Sequence, residues 1–421
     1  MESQSTLAIL TTHPIQYQVP VWRELTRRGL PLEVWYLSDH GHRKSFDRGF
    51  GKEFLWDLDM LGGYESRLLP TRPAKAKIGR FRGARIGSLD SLFRGRGITA
   101  LLINGWFPQA YWQAAFQAHR AGIPILLRAE TNDLRSIPWW KELAKRRLLK
   151  LLFNRVSLFL TIGVANRRFY LKYGVAESKL RSAPYCVENE RFSQAAESFR
   201  SRRDELREAW NIPQDSTCFL FCGKLIEKKH VLDLIRAFEM LLLSPAKFGA
   251  KAPIHLLVAG DGALREIIEE RARRLSNQVG RPCVSLAGFL NQTEVPKAYA
   301  VADCLVLPSD AGETWGLVVN EAMACGLPAI VSDQVGCGPD LIDPGVTGDL
   351  FPVENVERLA VAMAQWSDPI RCRSAATAVT KKIAAYSIEQ AGSGISDSVR
   401  LVTSKRQSAQ AFRGEIFTPG T

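Results

Sequence analysis

No hydrophobic run in this chain approaches the ~20 residues needed to cross a bilayer; the most apolar stretch, Val156 to Ile162, reads as a buried strand. The N-terminus lacks a charged-then-apolar leader, so no secretory signal peptide is expected. Cysteine is sparse and scattered, at positions 186, 218, 222, 283, 304, 325, 337 and 372, with no Cys-x-x-Cys pair. That spacing argues against both a zinc site and a disulfide framework and fits a reducing cytoplasm. Cys218 and Cys222 flank Phe-Leu-Phe and fall on one face of a strand, as core residues. There is no internal repeat. Acid is short relative to base, 43 Asp and Glu against 56 Lys and Arg, leaving a net charge of +13 that favours anionic partners: nucleotides, anionic lipid or nucleic acid. What remains, 421 residues with 46% hydrophobic and 24% charged, is enough for two globular domains, each with its own core.

Strand and helix patterns alternate from the start. Leu7 to Leu10 is a short apolar strand, followed by a loop carrying His13 and then a helical stretch to Arg28. Glu33 to Leu37, Thr99 to Asn104, Ile123 to Arg128 and Leu158 to Ile162 read as strands; 108–121, 139–154 and 165–173 read as helices. This alternation predicts a parallel sheet covered on both faces, with ligands met at the carboxyl ends of its strands. Two of those ends are polar, Asn104-Gly-Trp106 and Arg128-Ala-Glu130-Thr-Asn132. Ordinary turn chemistry, or an ion pair of Arg128 with Glu130, would account for them equally, and His13 reads as well as a buried, satisfied histidine.

Two regions concentrate positive charge. Arg72 to Arg96 holds eight Lys or Arg and one acid, Asp90, with glycines at 79, 83, 87 and 95, and reads as a mobile loop. Trp139 to Phe153 pairs an apolar face (Leu143, Leu148, Leu151, Leu152) with Lys141, Lys145, Arg146, Arg147 and Lys150 behind a tryptophan pair. Such a helix suits a membrane surface; a helix resting its leucines on the sheet, with a solvated basic face, suits the pattern too.

In the second half, Cys218-Phe-Leu-Phe-Cys-Gly223-Lys224 runs a strand into a glycine turn, with Lys229 five residues beyond Lys224. A strand entering glycine and then two cations is arranged to cradle phosphate; taken alone, the two lysines read as solvated surface. Ile254 to Ala259 leads into a second glycine turn, Gly260-Asp261-Gly262, and Val284 to Gly288 leads into Phe289-Leu290. The densest chemistry follows the apolar run Cys304 to Leu307: Glu313-Thr314-Trp315-Gly316-Leu317-Val-Val-Asn-Glu321, helical from about Gly316 to Cys325 and stopped by Gly326 and Pro328. One carboxylate, Glu313, sits in the loop and the other, Glu321, on the helix. Between them the backbone N–H groups of the helix start are a seat for phosphate. Carboxylates accept from sugar and ribose hydroxyls, so the combination suits a sugar nucleotide. In isolation the pair reads equally as a solvated loop Glu and a helix-surface Glu.

The Glu-x7-Glu segment resembles the signature of retaining glycosyltransferases of the GT4 family (glycosyl transferases group 1), which have the GT-B fold. The likeness runs over roughly 220–352, and the opening phrase THPIQYQVPVWREL with FLWDLDMLGGY resembles one GT4 subgroup, without the Gly-x-Gly loop common in relatives. Trp315 stands where the family usually has Phe, and Lys224 where many members have Arg. The resemblance implies an α/β protein of two Rossmann-like doubly wound domains facing a cleft: 1–190 for the acceptor, 191–386 for the nucleotide sugar, and 387–421 as a helix crossing back to the first domain and a frayed tail. It implies that Glu313 faces the donor sugar and acts in catalysis with Lys224 and Lys229, and that Glu321 holds the ribose. Thr314, Trp315, Gly316, Leu317, Gly223, Gly260, Gly262, Phe289 and Leu290 complete the donor site, and His13, Asn104 and Glu130 stand on the acceptor side. The donor is expected to be a UDP- or GDP-linked sugar, with no cofactor and no metal, because lysines and a helix N-terminus supply the positive charge. A glycan or lipid-linked acceptor in cell-surface polysaccharide or glycoconjugate synthesis is expected, with an anionic membrane surface as a further partner, no specific nucleic acid, and a cytoplasmic location on the inner face of the membrane. Two readings compete: a nucleotide-sugar epimerase of the same fold, and a non-catalytic basic protein binding nucleic acid or lipid through 72–155.

Overall fold

The computed structural model describes residues 6–47 and 49–416, apart from the side chains of Ser45 and of 407–416. In chain order its strands are β1 (Thr6–Thr11), β2 (Leu32–Tyr36), β3 (Ser45–Asp47), β4 (Lys52–Phe54), β5 (Glu65–Leu68), β6 (Thr71–Arg72), β7 (Arg85–Ile86), β8 (Ile98–Asn104) and β9 (Ile125–Arg128). They continue as β10 (Leu158–Thr161), β11 (Leu180–Ser182), β12 (Thr217–Cys222), β13 (Ile254–Ala259), β14 (Val284–Gly288), β15 (Cys304–Leu307), β16 (Ala329–Ser332) and β17 (Gly348–Phe351). Two compact units result: residues 1–43, 59–184 and 388–421 form one, and 44–58 with 185–387 the other. The segment 44–58, expected within the first domain, therefore packs with the second.

The first unit is built on a seven-stranded sheet in the order β11-β10-β9-β8-β1-β2-β5. Its pairs are parallel; Ile9 lies beside both Val34 and Leu102. Strands covered on both faces must be apolar throughout, and Leu7 to Leu10, Ala100 to Ile103 and Ile125 to Leu127 are accordingly buried. The terminal helix Ile388–Ile416 belongs to this unit and packs on the helix Val19–Arg27. Gly394 lets the same helix lie against β11, since a Cβ there would stand 1.9 Å from the Ser182 carbonyl oxygen. Of the stretch 387–421, expected as a crossing helix and a frayed tail, the helix continues to Ile416, and residues 417–421 lie outside the described part.

The structure corrects both basic regions. Arg72 to Arg96 is not a free loop: β6 and β7 pair, a helix spans Asp90–Gly95, and Ala84, Ile86, Leu89 and Phe93 are buried in the core. Gln113 and Gln117 accept from the Ile86 and Leu89 backbone N–H groups at 2.9 and 2.7 Å. In the helix Trp139–Phe153 the stripe resting on the core is Leu149, Leu152 and Phe153. Of the predicted apolar face only Leu152 is inside; Leu143, Leu148 and Leu151 are exposed, as are Trp139 (78%) and Trp140 (56%).

The second unit carries a six-stranded parallel sheet in the order β14-β13-β12-β15-β16-β17. Cys218 and Phe219 to Phe221 are fully buried, and all eight cysteines are free thiols. A buried ionic knot fixes the start of β12: Asp303 accepts from Arg207 (2.8 Å), Arg203 (2.8 Å) and the Cys218 N–H (2.8 Å). Among the described residues no helix is long and apolar enough to span a membrane.

Candidate functional site

The carboxyl ends of β12, β13 and β15 bring the predicted residues of the second unit together. At the end of β12, Gly223 donates its N–H to the Ala259 carbonyl at 2.9 Å. Gly260 follows in the next strand with φ of 157°, where an added Cβ would fall 1.8 Å from the Gly223 carbonyl oxygen. No side chain fits at that contact, which sets the two turns directly against each other. Lys224 leaves the first turn, and Asp261 and Gly262 continue the second.

Lys229 ends a short 3-10 turn, Glu227–Lys229, and its Nζ donates to the Glu313 carboxylate. Both side chains are largely shielded, 12% and 16% exposed, so the pair persists where bulk water would weaken it. Glu313 lies in the loop after β15, three residues before Gly316, which takes the left-handed conformation (φ 101°) that starts the helix Leu317–Ala324. Trp315 turns inward instead of toward the loop: it is 2% exposed and its Nε1 donates to Asn320 Oδ1 at 2.8 Å. Its side chain packs near Tyr185 and Tyr386, so only its backbone is available to a ligand.

Glu321 sits half-buried on the inner face of that helix, where the Tyr299 hydroxyl donates to it at 2.6 Å. Burial pushes its carboxyl up to about 7, against the pull of the Tyr299 and Gln292 hydrogen bonds and the Arg191 charge. Arg191 in turn is held by Gln292 Oε1 at 3.0 Å. A carboxylate held this way is ready to accept from a neutral hydroxyl and does not suit an anion. Tyr299, Gln292 and Arg191 escaped the sequence reading, because nothing local marks them.

Residues 44–58 bear on the same place. β3 and β4 form an antiparallel hairpin, and Asp47 accepts from Lys224 Nζ at 2.8 and 2.9 Å. Phe50 and Phe54 pack on the Phe289 ring with centroids 4.9 and 4.8 Å apart, and Lys52 Nζ stands 4.3 Å over it while pairing with Asp261 at 3.2 Å. Leu290 beside Phe289 is half-buried. The chain holds one Asp-x-Asp, Asp57-Leu58-Asp59, which the metal-free expectation overlooked. Asp57 caps the Gln292 and Thr293 N–H groups at 3.1 and 3.0 Å, while Asp59 closes the turn to Leu61 and Gly62. The two carboxylates are thus engaged with separate backbone groups. Among the described residues no three His, Cys, Asp or Glu side chains converge on a common point.

In the first unit the carboxyl ends of β1, β8 and β9 enclose a cavity of about 330 Å³, lined among others by Thr12, Gln18, Asn104, Trp106 and Glu130. Asn104 and Glu130 are therefore brought together, and buried Gln18 joins them, its Nε2 lying 3.5 Å from Glu130 Oε1. His13 is absent from that lining. It hydrogen-bonds Thr12 at 2.9 Å and meets the His40 ring edge-on at 5.2 Å. Burial and the neighbouring His40 lower it to about 4, so it is neutral at pH 7. Arg128 donates to the Ala183 and Pro184 carbonyls, at 3.3 and 3.0 Å.

Comparison with known proteins bears on both units. Residues 202–379 match the model of the family Glycosyl transferases group 1. Lipopolysaccharide 1,2-N-acetylglucosaminetransferase of Salmonella typhimurium is 29% identical over 155 residues, 35% of this chain and 38% of that protein. A GDP-mannose-dependent alpha-mannosyltransferase of Mycobacterium tuberculosis is 34% identical over 179 residues, 42% of this chain and 40% of the other. The chain thus matches about two fifths of the length of these relatives. Over 95% of this chain and 98% of the other, the fold matches a glycosyltransferase structure from Rickettsia africae with a TM-score of 0.72 at 13% identity. The two Rossmann-like units have the GT-B architecture, and residues 202–379, within the second unit, resemble the glycosyl transferases group 1.

Proposed function

We propose that this chain is a retaining, metal-independent glycosyltransferase that moves a sugar from a UDP- or GDP-linked donor to a glycan or lipid-linked acceptor. The observation that carries the reading is the convergence of Glu313, Lys229, Lys224 and the glycine turns at 223 and 260 on one end of one sheet. Fixed donors aimed at developing charge are usually the largest catalytic contribution, roughly 3–4 kcal/mol for one donor. Here the departing diphosphate is stabilised by the two lysines and the helix start at Gly316, which leaves a metal unnecessary. Glu321, protonated or not, suits the ribose hydroxyls, and Glu313 the donor sugar. The acceptor hydroxyl attacks from the face that the diphosphate leaves. A thermal-shift series over nucleoside diphosphates and their sugars tests this: the true donor nucleotide at 100 times its Kd stabilises the fold by about 2.7 kcal/mol. A flat response to every nucleotide would overturn the reading.

The enzyme works at the cytoplasmic face of an anionic membrane, a reading supported by the exposed Trp139, Trp140, Leu143, Leu148 and Leu151 beside Lys141, Arg146, Arg147 and Lys150. Each cation near such a surface contributes about 1 kcal/mol. In co-sedimentation with liposomes, pelleting should require anionic lipid, weaken in high salt and drop when Lys141, Arg146, Arg147 and Lys150 are changed to Gln. Equal recovery in the supernatant with neutral and anionic vesicles would remove the membrane from the picture.

A further inference from the structure

One short hairpin meets Lys224, Gly262 and Phe289, three of the places in the second unit that the donor reading assigns to the nucleotide sugar. Asp47 holds Lys224 through both carboxylate oxygens and is itself fixed by the Gly49 and Phe50 N–H groups at 2.7 and 3.1 Å. The Gly49 carbonyl lies against Gly262, 2.9 Å from where a Cβ would stand. Phe50, Lys52 and Phe54 cover Phe289. Asn291 donates to the Leu55 carbonyl at 2.8 Å and Asp57 caps Gln292 and Thr293, so the far end of the segment is tied down independently of Asp47. A carboxylate that accepts from an ammonium and from two consecutive N–H groups has the hydrogen-bonding pattern of a phosphate oxygen pair.

We propose that Asp47 is an affinity-determining residue of the donor site, an internal surrogate for a donor phosphate that must leave Lys224 before a nucleoside diphosphate can take it. The inference rests on the donor-site reading above. It assigns the hairpin a double use: its carboxylate excludes weakly charged ligands from Lys224, and its anchored end keeps the displaced strand close by. The cost of separating Asp47 from Lys224 is charged to every anion that enters, and removing the carboxylate removes it.

The test is a cycle of four proteins, wild type, Asp47→Asn, Lys224→Ala and the double variant, titrated calorimetrically with UDP and with GDP. The expectation is that Asp47→Asn binds the preferred nucleotide about tenfold more tightly than wild type. In the Lys224→Ala background the same change should alter Kd by less than about twofold. A Kd that is unchanged or weaker in Asp47→Asn overturns the proposal, and so does an equal gain in both backgrounds, which would be general charge repulsion. Asp47→Ser serves as a second variant should Asn retain the hydrogen bond to Lys224. If wild type and all variants bind neither nucleotide, it is the donor-site reading that has failed; if wild type binds and the cycle is flat, only the Asp47 proposal has.

Discussion

At the carboxyl edge of the first sheet, the loops after β1, β8 and β9 deliver Gln18, Asn104, Trp106 and Glu130 to an open cavity. At the corresponding edge of the second sheet, the loops after β12, β13 and β15 deliver Lys224, Asp261 and Glu313, and each is engaged in an ion pair. The architecture is the same and the chemistry is not. Amide, carboxylate and indole around a cavity suit a neutral polyhydroxylated molecule, whereas paired charges held by glycine turns suit an anion that exchanges partners on arrival. The parallel sheet fixes where a ligand is met; a handful of loop residues decide which ligand it is.

The sharpest way to break this contrast is to remove the charges of the second edge. Lys224→Ala and Lys229→Ala should each lower turnover by about 10²–10³-fold, the scale for losing one fixed donor to developing charge. If both serve one diphosphate, as proposed, the double variant should fall well short of the product of the two. Melting temperature should hardly move for Lys224→Ala, whose partly exposed ion pair contributes about 1 kcal/mol or less, and should fall modestly for Lys229→Ala, which leaves the shielded Glu313 without its cation. A large fall in melting temperature with normal initial rates would make both lysines structural.

Next in size is Glu321→Ala. If the ribose hydroxyls donate to this carboxylate, calorimetric titration with the nucleotide should show a loss of about 1.5–3 kcal/mol. Unchanged affinity would leave Glu321 as a partner of Tyr299 only.

A smaller effect follows from the carboxyl of Glu321 being pushed up to about 7. Because its folded value lies above the ordinary carboxylate range, the unfolded chain releases this proton first. Stability contributed by the neutral form is therefore present at low pH and lost as pH rises toward 7. Nucleotide binding runs the other way, since the ionised carboxylate is the better acceptor: affinity should rise up to about tenfold between pH 6 and pH 8. Glu321→Gln should flatten that part of the profile, and what slope remains belongs to the phosphates.

These contrasts were unequally legible in the sequence. Alternating apolar runs gave both sheets, and Asn104, Glu130, Lys224, Lys229 and Glu313 could be placed because each ends a strand or lies in the connection that leaves one. Residues whose role depends on a distant neighbour could not. Asp47 and Lys224 are 177 positions apart, Lys52 and Asp261 are 209 apart, and no local pattern sends a hairpin from between β2 and β5 onto the second unit. Tyr299 reads as an ordinary helical aromatic until Glu321 is found beneath it. In the helix Trp139–Phe153 two leucine stripes satisfy the helical period. The sheet accepts Leu149, Leu152 and Phe153, a choice made by packing that periodicity alone cannot make.

The smallest expected effect tests the other side of the comparison. Trp106 lines the first cavity with part of its indole shielded, Lys145 Nζ standing 5.7 Å from the ring and the Trp112 Nε1–H fixing its carbonyl at 2.8 Å. An indole held this way offers a flat apolar surface to the face of a sugar ring, and such aromatic contacts contribute about 0.5–1.5 kcal/mol beyond the area they bury. Trp106→Ala should therefore raise the acceptor KM by a few-fold while leaving kcat and the nucleotide Kd within about twofold of wild type. Glu130→Gln, which keeps the shape of the cavity lining and removes a charge, should act in the same sense. The decisive reading is the nucleotide titration: if either change in the first unit weakens nucleotide binding as strongly as Glu321→Ala does, the two edges do not divide acceptor from donor, and the contrast drawn from their residues is lost.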